Sequence, residues 1–312
     1  MKPFLVVNPR SANGATARHF DTIAHAVRAA VGEVEHAFTE RAMHASDLTR
    51  EALRAGHDLI IAVGGDGTLN EVVNGFFHPA RPGEAAKPIR PGAAVTMLPR
   101  GTGGDFRRSI GLDRDLSRCA ARLRGERAAI DVGRVDYIGK DGRPATRYFI
   151  NVGEVGVGAE VVDIANRSSK RLGGKLTFKL ASLRALAGWD DVRIRAFFDG
   201  GHPENLTVTS LVIANGKYFG GGMMVAPEAR LDDGQFHVTI WSGYGLFDFV
   251  LKGASMYDGS HVRLKGTRTR TARTVRVEPR DREPVGIEVD GERLGQLPAT
   301  FTLLPGALHL VR

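Results

Sequence analysis

The chain of 312 residues contains a single cysteine, Cys119, so an internal disulfide or a zinc site built on several thiolates is excluded. Long hydrophobic runs are also missing. No stretch approaches the ~20 apolar residues of a membrane-spanning helix. Residues 1–8, MKPFLVVN, turn polar too soon for a secretory signal. A cytoplasmic location is expected. Internal repeats and low-complexity tracts are absent. So is the sequence G-x-x-x-x-G-K-[ST], which argues against an ordinary P-loop. The spacing G-x-G-x-x-G with a downstream acid is lacking too, which weakens a dinucleotide oxidoreductase reading.

What is present is ordinary globular composition with a basic bias. Apolar residues make up 42% and charged residues 25%, which excludes a disordered chain. The formal charge, 43 − 35 = +8, favours anionic partners such as nucleotides or an acidic surface. Glycine is plentiful, at 39 residues without a fixed period, and marks turns and close backbone approaches.

The first 131 residues alternate strand-like and helix-like patterns. Pro3 to Val7, Glu33 to Phe38, Asp58 to Val63 and Ala93 to Leu98 read as strands. Between them, apolar residues recur at helical spacing from Phe20 to Val31, with Thr16 as the candidate cap; Ser46 to Arg54 and Thr68 to Phe77 read as further helices. Repeated β-α units of this kind predict a Rossmann-like parallel-sheet domain over 1–131. The register then changes. Residues 140–143, Lys-Asp-Gly-Arg, signal a hairpin, and from Val192 onward most segments alternate as strands do. The expectation is an α/β protein whose second domain, 132–312, is an antiparallel β-sandwich, its last strand returning to the first domain.

The strongest chemical signal is GGDGTLNEVVNG, Gly64 to Gly75, between a buried strand and a helix. Adjacent glycines let backbone approach phosphate oxygens, and a helix start adds free N–H groups. Asp66 is negative, so among phosphates it makes sense if it holds Mg²⁺ or accepts a hydroxyl proton. A tight turn with a solvated Asp66 is the bland alternative, and the length of the motif in its context weighs against it. The segment resembles the nucleotide-binding signature of the diacylglycerol kinase catalytic domain family, which includes bacterial lipid kinases and sphingosine kinases. Further matches follow in order: Asn8-Pro9-Arg10-Ser11, then Leu98 to Thr102 with Asp105-Phe106, then Ala214 to Ile240, and finally EVDGE, Glu288 to Glu292.

The resemblance implies a kinase that transfers the γ-phosphate of ATP to a lipid hydroxyl, diacylglycerol foremost, in phospholipid biosynthesis. It implies that ATP is surrounded by Asn8, Pro9, Arg10, Ser11, Ala12, Asn13, Thr39, Gly64, Gly65, Asp66, Gly67, Thr68, Leu69, Asn70, Glu71, Gly101 and Thr102. It implies Glu292 as catalytic base, helped by Asp66 and Asp290, and a structural Mg²⁺ at Asp233 with the main-chain oxygens of Arg230 and Gln235. Two departures stand out: Gly104 where the family usually has Asn, and Ala12 where glycine is common. EVDGE and LDDG, Leu231 to Gly234, also read simply as turns. His19, His25, His36, His44 and His57 lack ligand spacing.

Two basic regions suggest contact with the inner face of the membrane. Lys170, Arg171, Lys175, Lys179 and Arg184 accompany Leu176, Leu180, Leu183 and Leu186 at helical spacing. The ordinary reading of that stretch is a helix docking on the core with a solvated basic face. Residues 263–282 hold eight Arg or Lys against two acids, but no aromatic interleaves for base stacking, so nucleic acid is not an expected partner. A sphingoid base, ceramide or phosphatidylglycerol acceptor stays open, as does a homodimer. The rival readings are an NAD kinase-like enzyme, since GGDGT occurs there too, and a non-catalytic nucleotide or anionic-lipid binding module.

Overall fold

The computed structural model describes residues 1–312 apart from Thr102 and 169–173, and only the backbone of Gly174 and Lys175. The expected contact of Thr102, and those of Lys170, Arg171 and the Lys175 side chain, lie outside the described residues. The chain divides into two units: Met1–Ala80, Glu84–Asp131 and Gly306–Arg312 form the first, and Arg81–Gly83 with Val132–Pro305 the second.

The first unit runs β1 (Pro3–Val7), α1 (Ala15–Arg18), α2 (Phe20–Val31), β2 (Glu35–Phe38), α3 (His44–Arg54), β3 (Leu59–Gly64), α4 (Asp66–Gly75), β4 (Ala94–Pro99), α5 (Asp105–Ser109) and α6 (Leu116–Arg122). The strands are parallel, in the order β2–β1–β3–β4. His309 and Leu310 add a parallel edge beside Ala94 and Val95. Every residue of β3 is buried, as a central strand covered on both faces must be. α2 buries Ile23, Ala24 and Val27 on one stripe. Thr16 is not its cap. It lies buried inside α1, its hydroxyl 2.6 Å from that of Ser11, and the chain breaks at His19 before α2 starts.

The second unit is mostly antiparallel. β5 (Arg127–Gly139) and β6 (Pro144–Phe149) form the expected hairpin around residues 140–143. β7 (Val152–Gly156) leads into α7 (Val157–Arg167) and α8 (Gly174–Leu186). Then come β8 (Val192–Phe198), β9 (Glu204–Val208), β10 (Ser210–Ala214), the short pair β11 (Tyr218–Phe219) and β12 (Met223–Met224), and β13 (Phe236–Trp241). After α9 (Leu246–Asp258) the chain finishes with β14 (Thr267–Ala272), β15 (Thr274–Pro279), β16 (Gly286–Val289) and β17 (Glu292–Val311).

One run of strands reads β14–β13–β10–β7–β16–β17, and a second leaves β17 through β15 and β8 to β9. β17 serves both because residues 292–296 pair with β16 while residues 299–302 pair with β15. Phe149 bridges the core, its ring stacked 5.7 Å from Phe236 and edge-on 6.2 Å from Phe301. The basic stretch 263–282 becomes β14 and β15. Their arginines are held on a strand surface: Arg270 pairs with Glu204 and lies 3.8 Å from the Phe198 ring, and Arg276 pairs with Glu278.

Candidate functional site

In the first unit the connections diverge from the adjacent strands β1 and β3, with β2 outside β1 and β4 outside β3. Ligands of open α/β sheets bind at the carboxyl ends of strands at such a point. The sequence motifs fall on that edge: Asn8 to Asn13 after β1, Thr39 after β2, Gly64 to Gly67 after β3 and Arg100 onward after β4. Main-chain bonds tie the loops together. The Asn8 N–H reaches Val63 O at 3.0 Å, the Thr39 N–H reaches Val7 O at 2.8 Å, and the Arg100 N–H reaches Gly64 O at 2.8 Å. The Asn8 amide also donates to Thr68 Oγ1 at 3.1 Å.

The glycines of this edge serve different purposes. A Cβ on Gly64 would come within 2.4 Å of Thr68 Oγ1, and one on Gly101 within 2.5 Å of Gly65 Cα. Gly101 is therefore required where its loop crosses Gly65, and Gly64 where the strand end passes under the Thr68 side chain. A Cβ on Gly67 would meet nothing within 4 Å. Gly67 sits in the first turn of α4, whose N-terminus no side chain caps. The space in front of it and the first-turn N–H groups suit an anion. Leu69 and Asn70, also expected at the nucleotide, are fully buried within α4. The Glu71 carboxylate accepts the Ala45 N–H at 3.1 Å and ties α4 to the start of α3.

Asp66 is held by the loop after β4. Its carboxylate accepts N–H groups from Gly104 at 2.8 Å, Asp105 at 3.0 Å and Phe106 at 3.3 Å. A carboxylate has about four acceptor sites, so one lone pair is left over. The same contact accounts for Gly104. Its φ of +88° is left-handed, a conformation that Gly adopts freely and Asn tolerates. Ala12 and Asn13 are also left-handed, at φ 51° and 55°, so the glycine usual at position 12 would be the less strained residue.

In the second unit the late acidic motif is a turn and also a cluster of acids. Asp290, at φ +47°, accepts N–H groups from Ile150, Asn151 and Val152, each at 3.0 Å. Glu292 opens β17 and pairs with the guanidinium of Arg147 at 2.6 Å. Glu288 accepts the Gly291 N–H at 2.9 Å. Its strand neighbour in register is Glu154 of β7. Both side chains are buried, at 2% and 3% exposure. Burial pushes the Glu154 carboxyl up to about 7, against the hydrogen bonds from Ser210 Oγ and the Gly158 N–H. Burial first, and then the Glu154 charge, raise Glu288 well above the usual carboxylate range. The sequence offered no sign of Glu154 or Arg147, because only the fold brings β7 and β6 beside the EVDGE turn.

Glu154 also borders a small apolar cavity of about 40 Å³, lined by Val157, Val161, Phe178, Trp241 and Phe249 among others. Elsewhere in this unit, Asp233 accepts the Gln235 N–H at 3.3 Å and lies 2.8 Å from His237 Nε2. His237 is a partner that sequence spacing did not reveal. Arg230 turns its guanidinium to Asp232 at 3.3 Å. Among the described residues no group of three or more His, Cys, Asp or Glu side chains could hold a metal ion.

Residues 2–135 match the diacylglycerol kinase catalytic domain family, and residues 151–312 match the family described as YegS C-terminal NAD kinase beta sandwich-like domain. A diacylglycerol kinase of Staphylococcus carnosus is 28% identical over 95% of this chain and 90% of its own length. One of Bacillus subtilis is 27% identical over 98% of this chain and 95% of its own. The crystal structure of a diacylglycerol kinase from Bacillus anthracis superposes with a TM-score of 0.70, at 20% identity, covering 99% of this chain and 96% of that one. Yeast NADH kinase complexed with NADH shares the fold at a TM-score of 0.53, with 11% identity over 99% of this chain and 82% of that one. The glycine-rich carboxyl edge, the acidic turn and these matches along the whole chain agree: it belongs to the diacylglycerol kinase family of lipid kinases, phosphotransferases that act on a lipid alcohol.

Proposed function

We propose that the chain phosphorylates diacylglycerol with ATP, giving phosphatidic acid. The observation that carries the acceptor is the likeness to two diacylglycerol kinases over 95% and 98% of the chain.

The reading assigns the nucleotide to the first unit. Its phosphates lie before Gly67 and the uncapped start of α4, where N–H groups and the dipole offset negative charge. Asn8 to Asn13, Thr39 and the loop at Gly101 enclose the rest. Asp66 keeps one lone pair for a metal-bound or phosphate-bound water while its three amide bonds fix the loop.

Glu292 is the base. Its ion pair with Arg147 fixes the orientation of the carboxylate. A carboxylate within hydrogen-bond reach of the acceptor hydroxyl takes its proton as the oxygen attacks phosphorus. Asp290 holds the turn through its three amides.

Mg²⁺ is part of the same reading. When bound it neutralises charge on the phosphates. A structural ion at Asp233 would take hard oxygen donors from its carboxylate and from the carbonyls of Arg230 and Gln235, with His237 giving up its present contact. Mg²⁺ is expected to raise the melting temperature of the wild type and leave Asp233→Ala unmoved. Equal melting shifts in both would remove this site.

The deciding experiment is an assay of labelled ATP against a panel of diacylglycerol, sphingosine, ceramide, phosphatidylglycerol and NAD, with products identified by mass spectrometry. Phosphatidic acid as the dominant product supports the proposal. Phosphorylated NAD, another phosphorylated lipid or no product would replace it.

A further inference from the structure

Helices α8 and α9 are apolar on two faces. Inward, Phe178 and Leu186 of α8 and Phe249 and Met256 of α9 line the cavity described above. Outward, α9 exposes Phe247 at 81%, Val250 at 62% and Leu251 at 82%. Those three follow the i, i+3, i+4 rule of a single helix face. α8 exposes Leu176 at 46% and Leu180 at 38%. Among the described residues, five of the seven exposed large apolar side chains therefore sit on these two neighbouring helices. Of the two readings of α8, the plain docking helix does not account for its outward leucines. Phe178, Ala181 and Ala185 pack inward, and Leu176 and Leu180, read as its docking stripe, point out.

Scattered exposed apolar residues are normal, but an apolar ridge gathered on one surface marks contact with something apolar. Charge narrows what that is. α8, Gly174–Leu186, contains no Asp or Glu, and its exposed face carries Lys179 and Arg184 between the leucines. On α9 the one lysine, Lys252, is neutralised by Asp248 at 2.7 Å. Among the described residues Lys179 and Arg184 form no ion pair, and an apolar face flanked by such cations is the pattern of an interfacial helix on an anionic bilayer.

We infer that the outer faces of α8 and α9 form the surface by which this chain docks on an anionic lipid bilayer, with Phe247, Val250 and Leu251 entering the acyl boundary. The choice of occupant rests on the lipid-acceptor reading above. Beneath the same two helices the side chains stay apolar, Phe178 and Phe249 among them.

The test uses the full chain and vesicles of phosphatidylcholine, with and without phosphatidylglycerol, in a co-sedimentation assay. The wild type is expected to bind the anionic vesicles several-fold more tightly than the neutral ones. The double substitution Phe247→Ser with Leu251→Ser should weaken vesicle binding by at least about tenfold, the apolar area of two side chains being removed from the bilayer. Because these side chains are solvent-exposed, its melting temperature and its turnover of detergent-dispersed, short-chain diacylglycerol should match the wild type. Lys179→Gln with Arg184→Gln should abolish the preference for anionic vesicles.

Undiminished vesicle binding by the serine variant would overturn the inference, as would a wild type that ignores vesicles. So would a wild-type dimer in light scattering that the serine variant turns into a monomer, since the ridge would then belong to a second copy. Vesicle binding is read without turnover. A chain that phosphorylates no lipid yet binds through this ridge would thus refute the acceptor and leave the surface standing.

Discussion

Asp66 in the first unit and Asp290 in the second are set in the same way. Each follows a strand, and each gathers three consecutive backbone N–H groups, residues 104–106 for one and 150–152 for the other. Glu292, two residues beyond Asp290, makes a different kind of contact: an ion pair with the Arg147 guanidinium, at 38% side-chain exposure. The comparison teaches that a carboxylate amid glycines need not face a ligand to have a reason for being there. Two acids hold loops in place by satisfying backbone donors, and the third keeps its side chain partly open to solvent.

The sharpest way to break this comparison is Glu292→Gln. It keeps size and hydrogen bonding but removes the base, and turnover is expected to fall by about 10²–10⁴-fold. ATP binding by calorimetry should be retained. A folded variant with unchanged turnover would sink the assignment.

Asp66→Ala and Asp290→Ala come next. If both are loop anchors, each should lose roughly 2–4 kcal/mol in denaturant unfolding, the loss of three charge-assisted bonds to backbone. A stable Asp66→Ala with no activity would instead show that the first unit uses its aspartate on the nucleotide.

Gly67→Leu sharpens the contrast among glycines. Open space lies around that position, so thermal stability should hold while ATP affinity drops by about tenfold or more, as a side chain fills the space before α4. Unchanged ATP affinity would move the phosphates elsewhere.

The smallest expected effect concerns the buried pair. The folded-state pKa of Glu154, about 7, lies above the ordinary 4.5 of a glutamate. The folded chain thus keeps a proton that the unfolded chain has released, and raising the pH favours unfolding. The stability linked to this group is complete below about 4.5 and is lost as pH rises through about 7. Glu154→Gln should remove that loss. Its melting temperature should gain on the wild type by several degrees at pH 8 and by little at pH 5. A gain independent of pH would show that the proton is not the cause.

Much of the fold was readable from pattern. β3 reads as buried because all six of its residues are, and the alternation of β8 matches its one-sided burial. α7 and α9 escaped notice. α9 carries apolar residues on two faces, so no single stripe stands out, and one of those faces is covered only once the strands beneath it have assembled. α8 divides the leucines that spacing placed on one stripe: Leu176 and Leu180 face out, while Leu186 joins Phe178, Ala181 and Ala185 on the inner side.

The candidate site divides along the same line. The motifs Gly64 to Gly75 and Glu288 to Glu292 were visible because loops that bind phosphate or turn tightly restrict residue type locally. Whether Gly65 or Gly67 faces a ligand was not visible, since the answer depends on Gly101, more than thirty positions away.

The sequence by itself determined the order of strands and helices, the glycine-rich edge and the family, because short-range periodicity and local backbone demands are written in neighbouring residues. Only the tertiary structure decided that Asp66 and Asp290 bind amides, that Arg147 holds Glu292, that Glu154 and Glu288 share a buried place and that α9 turns phenylalanine and leucine outward. These are contacts between residues far apart in the chain. Their energies come from burial and desolvation, which exist only after the chain has folded.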